Sequence, residues 1–322
     1  MTGPGDAGVL APGQLPDPVP RAGEVLIGVH ATAVNRADIM QRRGLYPPPP
    51  GASEILGLEA VGEVVEVAPG TDTDLQPGDR VMCLVGGGGY AELLTAPASN
   101  CIRIPAGMSW TDAAAIPEVF ITAFQGLVRL GGLQAGDVAL VHSIASGVGT
   151  AAAQVCRAVG ARCIGTSRSA ERAQAGAPWG AEGIGVGAEG FAARVLAMTD
   201  GHGADVILDL VGAKYLHDNV ACLAREGRIV LTGMVGGRTG ELDMGALLAR
   251  QGTIVGSTLR GRSAEEKAVI MSEFAEWAMP LFVDGTLQPV IDRVMALDDA
   301  AAAHRQVEDD AAVGKVVLLV KP

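Results

Sequence analysis

The sequence predicts an α/β protein with two domains, one mostly β and one built on a doubly wound parallel sheet. The 322 residues are enough for two domains whose cores need neither disulfide nor metal support. In the first third of the chain, short apolar segments alternate with turn signals such as Pro69-Gly70 and Pro77-Gly78-Asp79. From Ala113 onwards, apolar strands alternate instead with helical segments, which is the pattern of a parallel sheet covered by helices.

The first domain is expected to begin after an extended segment, residues 1–23, that is rich in Gly, Pro and Ala. Its strands are the short apolar runs that lie between turn signals. One further run near the end of the chain supplies a strand that rejoins this domain. The predicted strands are Glu24 to His30, Ala60 to Val67, Arg80 to Val85, Tyr90 to Thr95 and Val316 to Val320.

The second domain is expected to begin with helical turns from Thr111 to Gly131 that are interrupted at Pro117. Strands and helices then alternate, and a long helix from Ser263 to about Phe282 follows. Six parallel strands with helices on both faces form the doubly wound, or Rossmann, fold. The predicted strands are Val138 to His142, Arg162 to Thr166, Gly183 to Val186, Asp205 to Leu210, Arg228 to Thr232 and Thr253 to Ser257, and the helices between them are Val148 to Val159, Ala170 to Ala177, Glu189 to Thr199, Lys214 to Ala224 and Asp243 to Ala249.

A strand, a tight turn and a helix are predicted from Asp137 to Gln154, and this turn is the main binding signal in the chain. Phosphate groups bind at such helix starts because the first amides have no partner within the helix and the macrodipole is positive there. The match to the dinucleotide fingerprint is incomplete, since Ile144 and Ser146 stand where its first two glycines should be when Gly149 is aligned with the last. Tight packing without a ligand is the alternative interpretation. The candidate cofactor-binding residues in this turn are Ser146, Gly147, Val148 and Gly149.

Composition excludes several classes of partner. The net charge is −12 and no run of Lys and Arg exceeds two residues, so neither nucleic acid nor an anionic membrane surface is expected as a partner. The five cysteines are scattered and are not spaced as metal-ligand pairs, which indicates reduced core thiols. No basic leader with an apolar segment and no run of 18 apolar residues occurs, so we expect a cytoplasmic location and no membrane span.

Several stretches in this order resemble the medium-chain dehydrogenase/reductase superfamily, and within it the zinc-free quinone oxidoreductases. The resemblance covers roughly residues 8 to 320, and the nearest branch is the one typified by the tumour-suppressor-induced quinone oxidoreductase. The stretches are Val34-Asn-Arg-Ala-Asp-Ile-Met-Gln41, Pro48-Pro-Pro-Gly-Ala-Ser53, Leu56-Gly-Leu-Glu59, Ala113-Ala-Ala-Ile-Pro-Glu118, Ala145-Ser-Gly-Val-Gly-Thr150 and Gly314-Lys-Val-Val-Leu318.

The resemblance implies a GroES-like catalytic domain formed by residues 1–118 and 285–322, and a Rossmann NADPH-binding domain formed by residues 119–284. It also implies a homodimer, in which the last strand of the nucleotide-binding sheet pairs across a twofold axis and so removes an exposed edge. No metal is expected. The zinc-dependent relatives have a cysteine at the position of Asn35 and a histidine at that of Leu58, and a catalytic zinc site needs three ligands.

Without a metal to polarise a simple ketone, an acceptor that is already electrophilic is the better substrate, such as a quinone or a conjugated carbonyl. Asn35 and Tyr46 are the candidate catalytic residues, because both can donate a hydrogen bond to the oxygen that gains charge. The alternatives are that Asn35 caps a turn and that Tyr46 anchors the loop before its proline run. Asp38 is interpreted as a helix cap rather than an acid, and His142 as a packed, hydrogen-bonded side chain.

The predicted cofactor is NADPH. An NAD site places an acidic residue at the end of the second strand of the sheet, whereas this strand is followed by Ser167, Arg168 and, one helical turn later, Arg172. These side chains suit a 2′-phosphate, and ordinary surface charge is the alternative for both arginines. Val186-Gly187 stands where many relatives carry an Asn-Tyr pair that contacts the cofactor. The resemblance places further cofactor contacts at Asn35, Thr122, Gly233, Met234, Val235, Leu259, Arg260 and Lys315; for Thr122 a structural helix position, and for Arg260 a solvated charge, are the alternatives.

An NADPH-dependent quinone reductase is therefore the leading prediction. A reductase of α,β-unsaturated carbonyl or thioester groups is the nearest enzymatic alternative, because polyketide and fatty acyl enoyl reductases share the scaffold. A cofactor-binding protein with little turnover, such as the lens crystallins that resemble this family, is the third. The five histidines form no recognised motif with a nucleophile and an acid, so hydrolase chemistry is not supported.

Overall fold

The structure is a computed structural model that describes residues 3–320, and its chain divides into two compact units. The first unit comprises Met1–Ile121 and Leu259–Pro322, and the second comprises Thr122–Thr258. The strands are β1 Glu24–Ala33, β2 Glu59–Val67, β3 Arg80–Leu84, β4 Leu93–Pro97, β5 Cys101–Arg103, β6 Val138–Val141, β7 Arg162–Ser167, β8 Glu182–Gly185, β9 Ala204–Asp209, β10 Leu223–Leu231, β11 Thr253–Gly256, β12 Ile291–Ala296 and β13 Lys315–Leu319. The helices are α1 Arg36–Arg42, α2 Trp110–Ala114, α3 Pro117–Phe124, α4 Gly147–Val159, α5 Ala170–Ala173, α6 Ala192–Met198, α7 Leu216–Ala221, α8 Met244–Arg250, α9 Ala264–Val283 and α10 Ala300–Glu308.

The first unit is built on a seven-stranded sheet in the order β12-β13-β1-β2-β3-β5, with β4 paired to β1 off this path. The central strand β1 pairs antiparallel with β13, β2 and β4, so the C-terminal strand rejoins the domain as expected. Alternate residues of these strands form the core, because successive side chains of a strand point to opposite faces. Val25, Ile27 and Val29 of β1 pack there with Val64 and Val81.

The sequence interpretation missed four elements of this unit. Strand β5 has three residues, too few for an alternating pattern, and β12 contains the charged pair Asp292-Arg293. Helix α1 was read as a local turn, although Asp38 was correctly assigned to its cap. Helix α10 is alanine-rich and has Val307 as its one large apolar residue, so it contains no conspicuous apolar run.

The second unit contains a six-stranded sheet in the order β8-β7-β6-β9-β10-β11, in which every pair is parallel. The predicted Rossmann fold is confirmed. The chain moves outward from β6 to β8 and then returns to the other side of β6 at β9, which creates the switch point at which such sheets bind ligands. Strand β6 is buried along its whole length because helices cover both faces of a doubly wound sheet.

Two predicted helices of this unit end earlier than expected. The run from Ala170 to Ala177 is a single α-helical turn that continues as 3₁₀ helix over Gln174–Trp179, where Pro178 cannot donate a backbone hydrogen bond. Helix α7 ends at Ala221, because Leu223 already pairs with β9 as the first residue of β10.

The boundary after the second unit also differs from the prediction, which placed residues 119–284 in the nucleotide-binding domain. The structure assigns the chain from Leu259 onwards, including the long helix α9, to the first unit. This helix packs against β5 and the 3₁₀ turn Ala98–Asn100. At its end, the Phe282 ring meets the Phe120 ring edge-on, with centroids 4.9 Å apart.

Helix α4 starts immediately behind the turn that follows β6, and Gly149 allows this close approach. A Cβ atom at Gly149 would lie 2.3 Å from the carbonyl oxygen of Ser143 and 2.6 Å from the Ile144 backbone. Backbone atoms cannot move aside as the end of a flexible side chain can. Glycine at this position is therefore required by the packing of the helix against the turn.

We expect Gly149→Ala to destabilise the second unit by about 1–3 kcal/mol, because the added methyl group forces the helix away from the turn. Gly245→Ala is the matched control. Gly245 also lies in the first turn of a helix, but a Cβ there meets only the Asp243 side chain, at 3.4 Å. Alanine has the higher helix propensity, so the control is expected to be neutral or stabilising by up to about 1 kcal/mol. Urea denaturation of both variants measures the difference, and equal effects would contradict the packing argument.

Candidate functional site

The first part of the candidate site is the turn between β6 and α4. Ser146 is the N-cap of α4, and its Oγ accepts a hydrogen bond from the Gly149 amide at 3.0 Å. The turn is held to the neighbouring strand by the Ile144 amide, which donates to the Thr166 carbonyl at 3.0 Å. With 13 residues, α4 is long enough to present a full macrodipole to an anion at its start. The sequence-predicted phosphate turn thus has the required backbone geometry.

The loops after β9 and β10 pack together at the same edge of the sheet. A Cβ at Gly233 would lie 2.6 Å from the Leu210 carbonyl oxygen, and one at Gly212 would lie 2.9 Å from that of Gly237. The predicted contact residues Met234 and Val235 follow Gly233 and are 51% and 63% exposed. Two exposed apolar side chains at the carboxyl ends of parallel strands are suited to contact a flat ligand ring.

A buried chain of hydrogen bonds joins three strand ends beneath these loops. Asp209 holds the loop after β9, because its Oδ1 accepts from the amides of Val211 and Gly212. Its Oδ2 accepts from Asn219 Nδ2 at 3.0 Å, so the Asn219 oxygen faces His142 Nε2, 2.7 Å away. His142 Nε2 must then carry the proton.

The other ring nitrogen of His142 accepts from the Thr166 hydroxyl, 2.8 Å away. Burial lowers the pKa of His142, which keeps the imidazole neutral, and the ring packs edge-on against Tyr215. His142 is completely buried, so its prediction as a packed, hydrogen-bonded side chain is confirmed.

The end of β7 carries the residues predicted to select NADPH. Ser167 is buried, Arg168 is exposed and Arg172 is partly exposed. Ser169 caps α5, which begins at Ala170, so Arg168 lies before the helix and does not share a helical face with Arg172 as the sequence suggested. The charge of Arg168 opposes the rise in the Tyr215 pKa that burial causes, which places the guanidinium near the loop after β9.

The first unit holds a separate cluster of buried charges centred on Glu59. The Glu59 side chain is fully buried, and Oε1 forms an ion pair with Lys315 Nζ at 2.8 Å. Lys315 Nζ also donates to Asn35 Oδ1 at 2.7 Å and to the Val34 carbonyl at 3.0 Å. Glu59 Oε2 accepts from the backbone amide of Glu118 at 2.8 Å. One carboxylate therefore joins β2, β13, the segment before α1 and the start of α3.

Asn35 is occupied by the same cluster. Its Nδ2 donates to Glu59 Oε1 at 2.7 Å and to the Ala33 carbonyl at 3.3 Å. Its oxygen accepts from Lys315. The predicted donation from Asn35 to an acceptor therefore requires that one of these bonds break, and the predicted cofactor contact of Lys315 competes with three bonds inside the protein.

Asp38 is a structural carboxylate, as the sequence predicted. Its two oxygens accept from the backbone amides of Asn35 at 2.8 Å and Gly57 at 3.0 Å. Burial raises the pKa of Asp38 to about 6, although both hydrogen bonds act in the opposite direction. Asp38 thus fixes the start of α1 to the loop before β2.

A second buried chain lies beside Asp38 and was not predicted from the sequence. Arg42 NH1 is 3.3 Å from His304 Nδ1, and Arg42 NH2 is 2.5 Å from Glu308. Because a guanidinium only donates, His304 Nδ1 accepts and Nε2 donates to the Tyr90 oxygen, 3.0 Å away. Burial, and then the Arg42 charge, lower the pKa of His304 to about 4.

Tyr46 is partly exposed and lies against Arg260, whose guanidinium carbon is 5.1 Å from the ring centroid. Arg260 donates to the carbonyls of Tyr46 and Gly86 and to Gln41 Oε1, at 3.1, 2.9 and 2.5 Å. Arg260 is only 5% exposed, so the alternative of a solvated charge is wrong. Lys267, which is also buried, donates to the Arg260 carbonyl at 3.1 Å. These contacts fix the loop that carries Tyr46.

Two of the remaining predicted residues, Thr122 and Leu259, are the first residues of the second unit and of the final segment of the first unit. Thr122 is in α3 and is buried, and Leu259 is buried next to Arg260. Gly187, at the position where relatives carry a cofactor contact, forms an isolated antiparallel bridge with Gly190.

Within residues 3–320, no group of three or more His, Cys, Asp and Glu side chains is arranged to hold a metal ion. No helix in the described part of the chain is long and apolar enough to cross a membrane.

Two family models match the chain. Residues 21–106 match the alcohol dehydrogenase GroES-like domain, and residues 147–276 match the zinc-binding dehydrogenase model. Among curated proteins, the chain is 32% identical over 301 residues to a quinone oxidoreductase-like protein 2 homolog of Nematostella vectensis, covering 92% of this chain and 82% of that protein. It is 33% identical over 303 residues to polyketide synthase GfsB of Streptomyces halstedii, covering 93% of this chain but 5% of the synthase.

Solved structures agree with these matches. A mycobacterial protein in complex with NADPH superimposes with a TM-score of 0.88 at 32% identity, over 99% of this chain and 98% of that one. The Escherichia coli quinone oxidoreductase in complex with NADPH superimposes with a TM-score of 0.85 at 28% identity, over 98% of this chain and 97% of that one.

The ion pair of Glu59 and Lys315 generates a prediction about stability. Lys315→Met is expected to cost about 3–5 kcal/mol, because it leaves a buried carboxylate without its cation. Adding Glu59→Gln should recover part of this loss, because the amide carries no charge. Arg225→Met is the control, since Arg225 and Glu226 are 71% and 73% exposed at the side chain and such pairs contribute at most about 1 kcal/mol. Urea denaturation tests this, and a double variant less stable than Lys315→Met alone would refute it.

His304 generates a prediction about acid sensitivity. The imidazole is neutral in the folded protein down to pH about 4, whereas an unfolded histidine gains its proton near its ordinary pKa of 6.5. Stability is therefore fully present above pH 6.5 and is lost as pH falls towards 4, by about 3 kcal/mol for this shift. His304→Gln should remove that part of the pH dependence. Measuring the free energy of unfolding at several pH values tests this prediction. The same pH dependence in the wild type and in His304→Gln would contradict the lowered pKa of His304.

Proposed function

The chain belongs to the medium-chain dehydrogenase/reductase superfamily, and from this premise we propose that it is an NADPH-dependent reductase that transfers hydride to a quinone without a metal ion. The coarser class, an oxidoreductase of this superfamily, rests on full-length similarity to quinone oxidoreductases. The observation that carries the finer proposal is the cluster around Glu59. It surrounds Asn35, one of the two residues predicted to bind the acceptor, with charge and hydrogen bonds but offers no set of metal ligands.

Zinc does not fit the residues present. Of the positions that hold ligands in zinc-dependent relatives, one carries Asn35 and another Leu58, whose side chain has no donor atom. The neighbouring carboxylate, Glu59, is already neutralised by Lys315. An acceptor that needs no Lewis acid, such as a quinone or conjugated carbonyl, is consistent with this environment.

NADPH fits the second unit. The cradle formed by Gly149 leaves no room for a Cβ, and the amides at the start of α4 suit a pyrophosphate. Ser167 and Arg168 would hold the 2′-phosphate, and no carboxylate follows β7 before Glu171. When bound, the cofactor supplies the hydride. We assign the binding and orientation of the adenosine end to these side chains.

A reductase of α,β-unsaturated thioesters is the second candidate, and the match to a polyketide synthase favours it. A protein that binds NADPH with little turnover is the third. We further propose a cytoplasmic location and a homodimer. Strand β11 is one edge of the parallel sheet and carries the exposed Ile254, which a second copy would cover.

The function is tested by following NADPH and NADH oxidation by the purified protein with quinones, enones and acyl thioesters. We expect NADPH to be preferred, quinones to be the best acceptors, and zinc to be absent from elemental analysis. Replacing Arg168 and Arg172 together by alanine should raise the KM for NADPH by about 30-fold, about 2 kcal/mol, and leave that for NADH nearly unchanged.

Arg225→Ala, at an exposed arginine of β10, is the matched control and should change neither constant. Preference for acyl thioesters would select the second candidate, and tight NADPH binding without oxidation by any acceptor would select the third. Stoichiometric zinc with activity lost to chelators would overturn the metal-free proposal.

A further inference from the structure

Glu118 is a carboxyl group of the first unit for which no role was predicted from the sequence. It lies in the first turn of α3, immediately after Pro117, and its backbone amide is fixed to Glu59 at 2.8 Å. Pro117, Val119 and Phe120 are buried, whereas Glu118 retains partial exposure. Thr122, which the family resemblance places against the nicotinamide, lies one turn later on the same helix, and residues four apart share a helical face.

Four charged groups on four different elements act on Glu118. Glu59 of β2 and Asp38 of α1 are carboxylates, and Lys315 of β13 and Lys267 of α9 are cations. Lys315 is engaged by Glu59, and the bond found for Lys267 Nζ goes to the Arg260 carbonyl. Among the described residues, no ion pair within 4.0 Å joins Glu118 to either lysine. Glu118 is therefore a carboxyl without a direct counter-ion.

This environment keeps Glu118 protonated. Burial, and then the charge of Glu59, raise the pKa of Glu118 to about 8, and the two lysines only partly oppose this. At neutral pH the group is a carboxylic acid with an O–H to donate. Asn35, the donor predicted from sequence, has both amide N–H groups bonded inside the protein.

We propose that Glu118 is the general acid of the reaction and donates its proton to the carbonyl oxygen of the acceptor. This inference rests on the proposed function. Two-electron reduction of a quinone to a hydroquinone, or of a conjugated carbonyl, consumes one hydride and one proton. Bound NADPH would supply the hydride, and its oxidation would account for the two electrons. The O–H bond of Glu118 breaks as an O–H bond forms on the acceptor, and the carboxylate then regains a proton from water.

Stabilisation of the resulting carboxylate also follows from the cluster. Lys267 and Lys315 lower the free energy of ionised Glu118, which allows the acid to give up its proton when an acceptor oxygen gains charge. A general acid is most effective when its pKa lies near the working pH, and this type of catalysis contributes about 100- to 10,000-fold.

Glu118→Gln tests the proposal, because glutamine keeps the shape of the side chain but has no acidic proton. We expect kcat with quinones to fall by at least about 100-fold while the KM for NADPH stays within about twofold. The wild-type kcat should decline above pH about 8, as Glu118 loses its proton, and the variant should lack this decline. Glu265→Gln is the matched control, since Glu265 is an exposed first-turn glutamate of α9, and it should behave as wild type.

A second readout does not depend on turnover. Infrared spectroscopy of the protein without cofactor should show a protonated carboxyl band that disappears as pH rises through about 8 and that is missing in Glu118→Gln. Thermal unfolding should be unchanged or shifted upward in the variant, because no buried carboxyl must stay protonated.

The failures are distinguishable. If the wild type oxidises NADPH with quinones and Glu118→Gln keeps both its rate and its pH profile, the inference is wrong and the proposed function stands. If no acceptor supports oxidation by the wild type, the proposed function fails and the inference fails with it. An active wild type whose carboxyl band titrates well below pH 7 would also exclude Glu118 as the acid.

Discussion

The polar centre of the first unit depends on one buried ion pair, Glu59 with Lys315. A buried carboxylate is costly unless it is paired and its remaining lone pairs are bonded, and both conditions are met here. Lys315 neutralises Oε1, Asn35 donates to the same oxygen, and the Glu118 amide satisfies Oε2. Since Glu59 and its three partners come from four separate stretches of chain, these contacts fix the relative positions of the four stretches and also neutralise the carboxylate.

The same pair gives two neighbouring carboxyl groups different properties. Glu59 has a cation in contact and serves as an anchor, whereas Glu118, next to it, has none and has its pKa raised to about 8. Many enzymes carry out acid chemistry at neutral pH with a pair of titratable groups whose surroundings hold one protonated and the other ionised. The second unit also has a buried carboxylate that anchors a hydrogen-bond network, but this one has no catalytic role. Asp209 orients Asn219, His142 and two loop amides at the ligand-binding edge of the sheet.

Much of the fold was predictable because it rests on local patterns. The six strands of the parallel sheet are short apolar runs, and the small residues before α4 indicate the phosphate-binding turn. The assignment of α9 to a unit was not predictable, because its packing partners, β5 and Ala98–Asn100, lie far away in the chain. Contacts at such separation leave no periodic signal in the helix itself.

In the candidate site, too, some residues were predictable from local sequence and others depend on contacts between distant parts of the chain. Ser146 and Gly149 were identified because a glycine-containing turn before a helix is a known phosphate-binding pattern, and all of its residues are contiguous in the sequence. Glu118 was not, since its chemistry arises from Glu59, Lys267 and Lys315, whose side chains the fold brings near it from distant positions. A glutamate after a proline at the start of a helix is, by sequence alone, an ordinary first-turn acid that favours the helix dipole. Partial burial next to a second carboxylate raises its pKa to about 8, and that environment is a property of the tertiary structure.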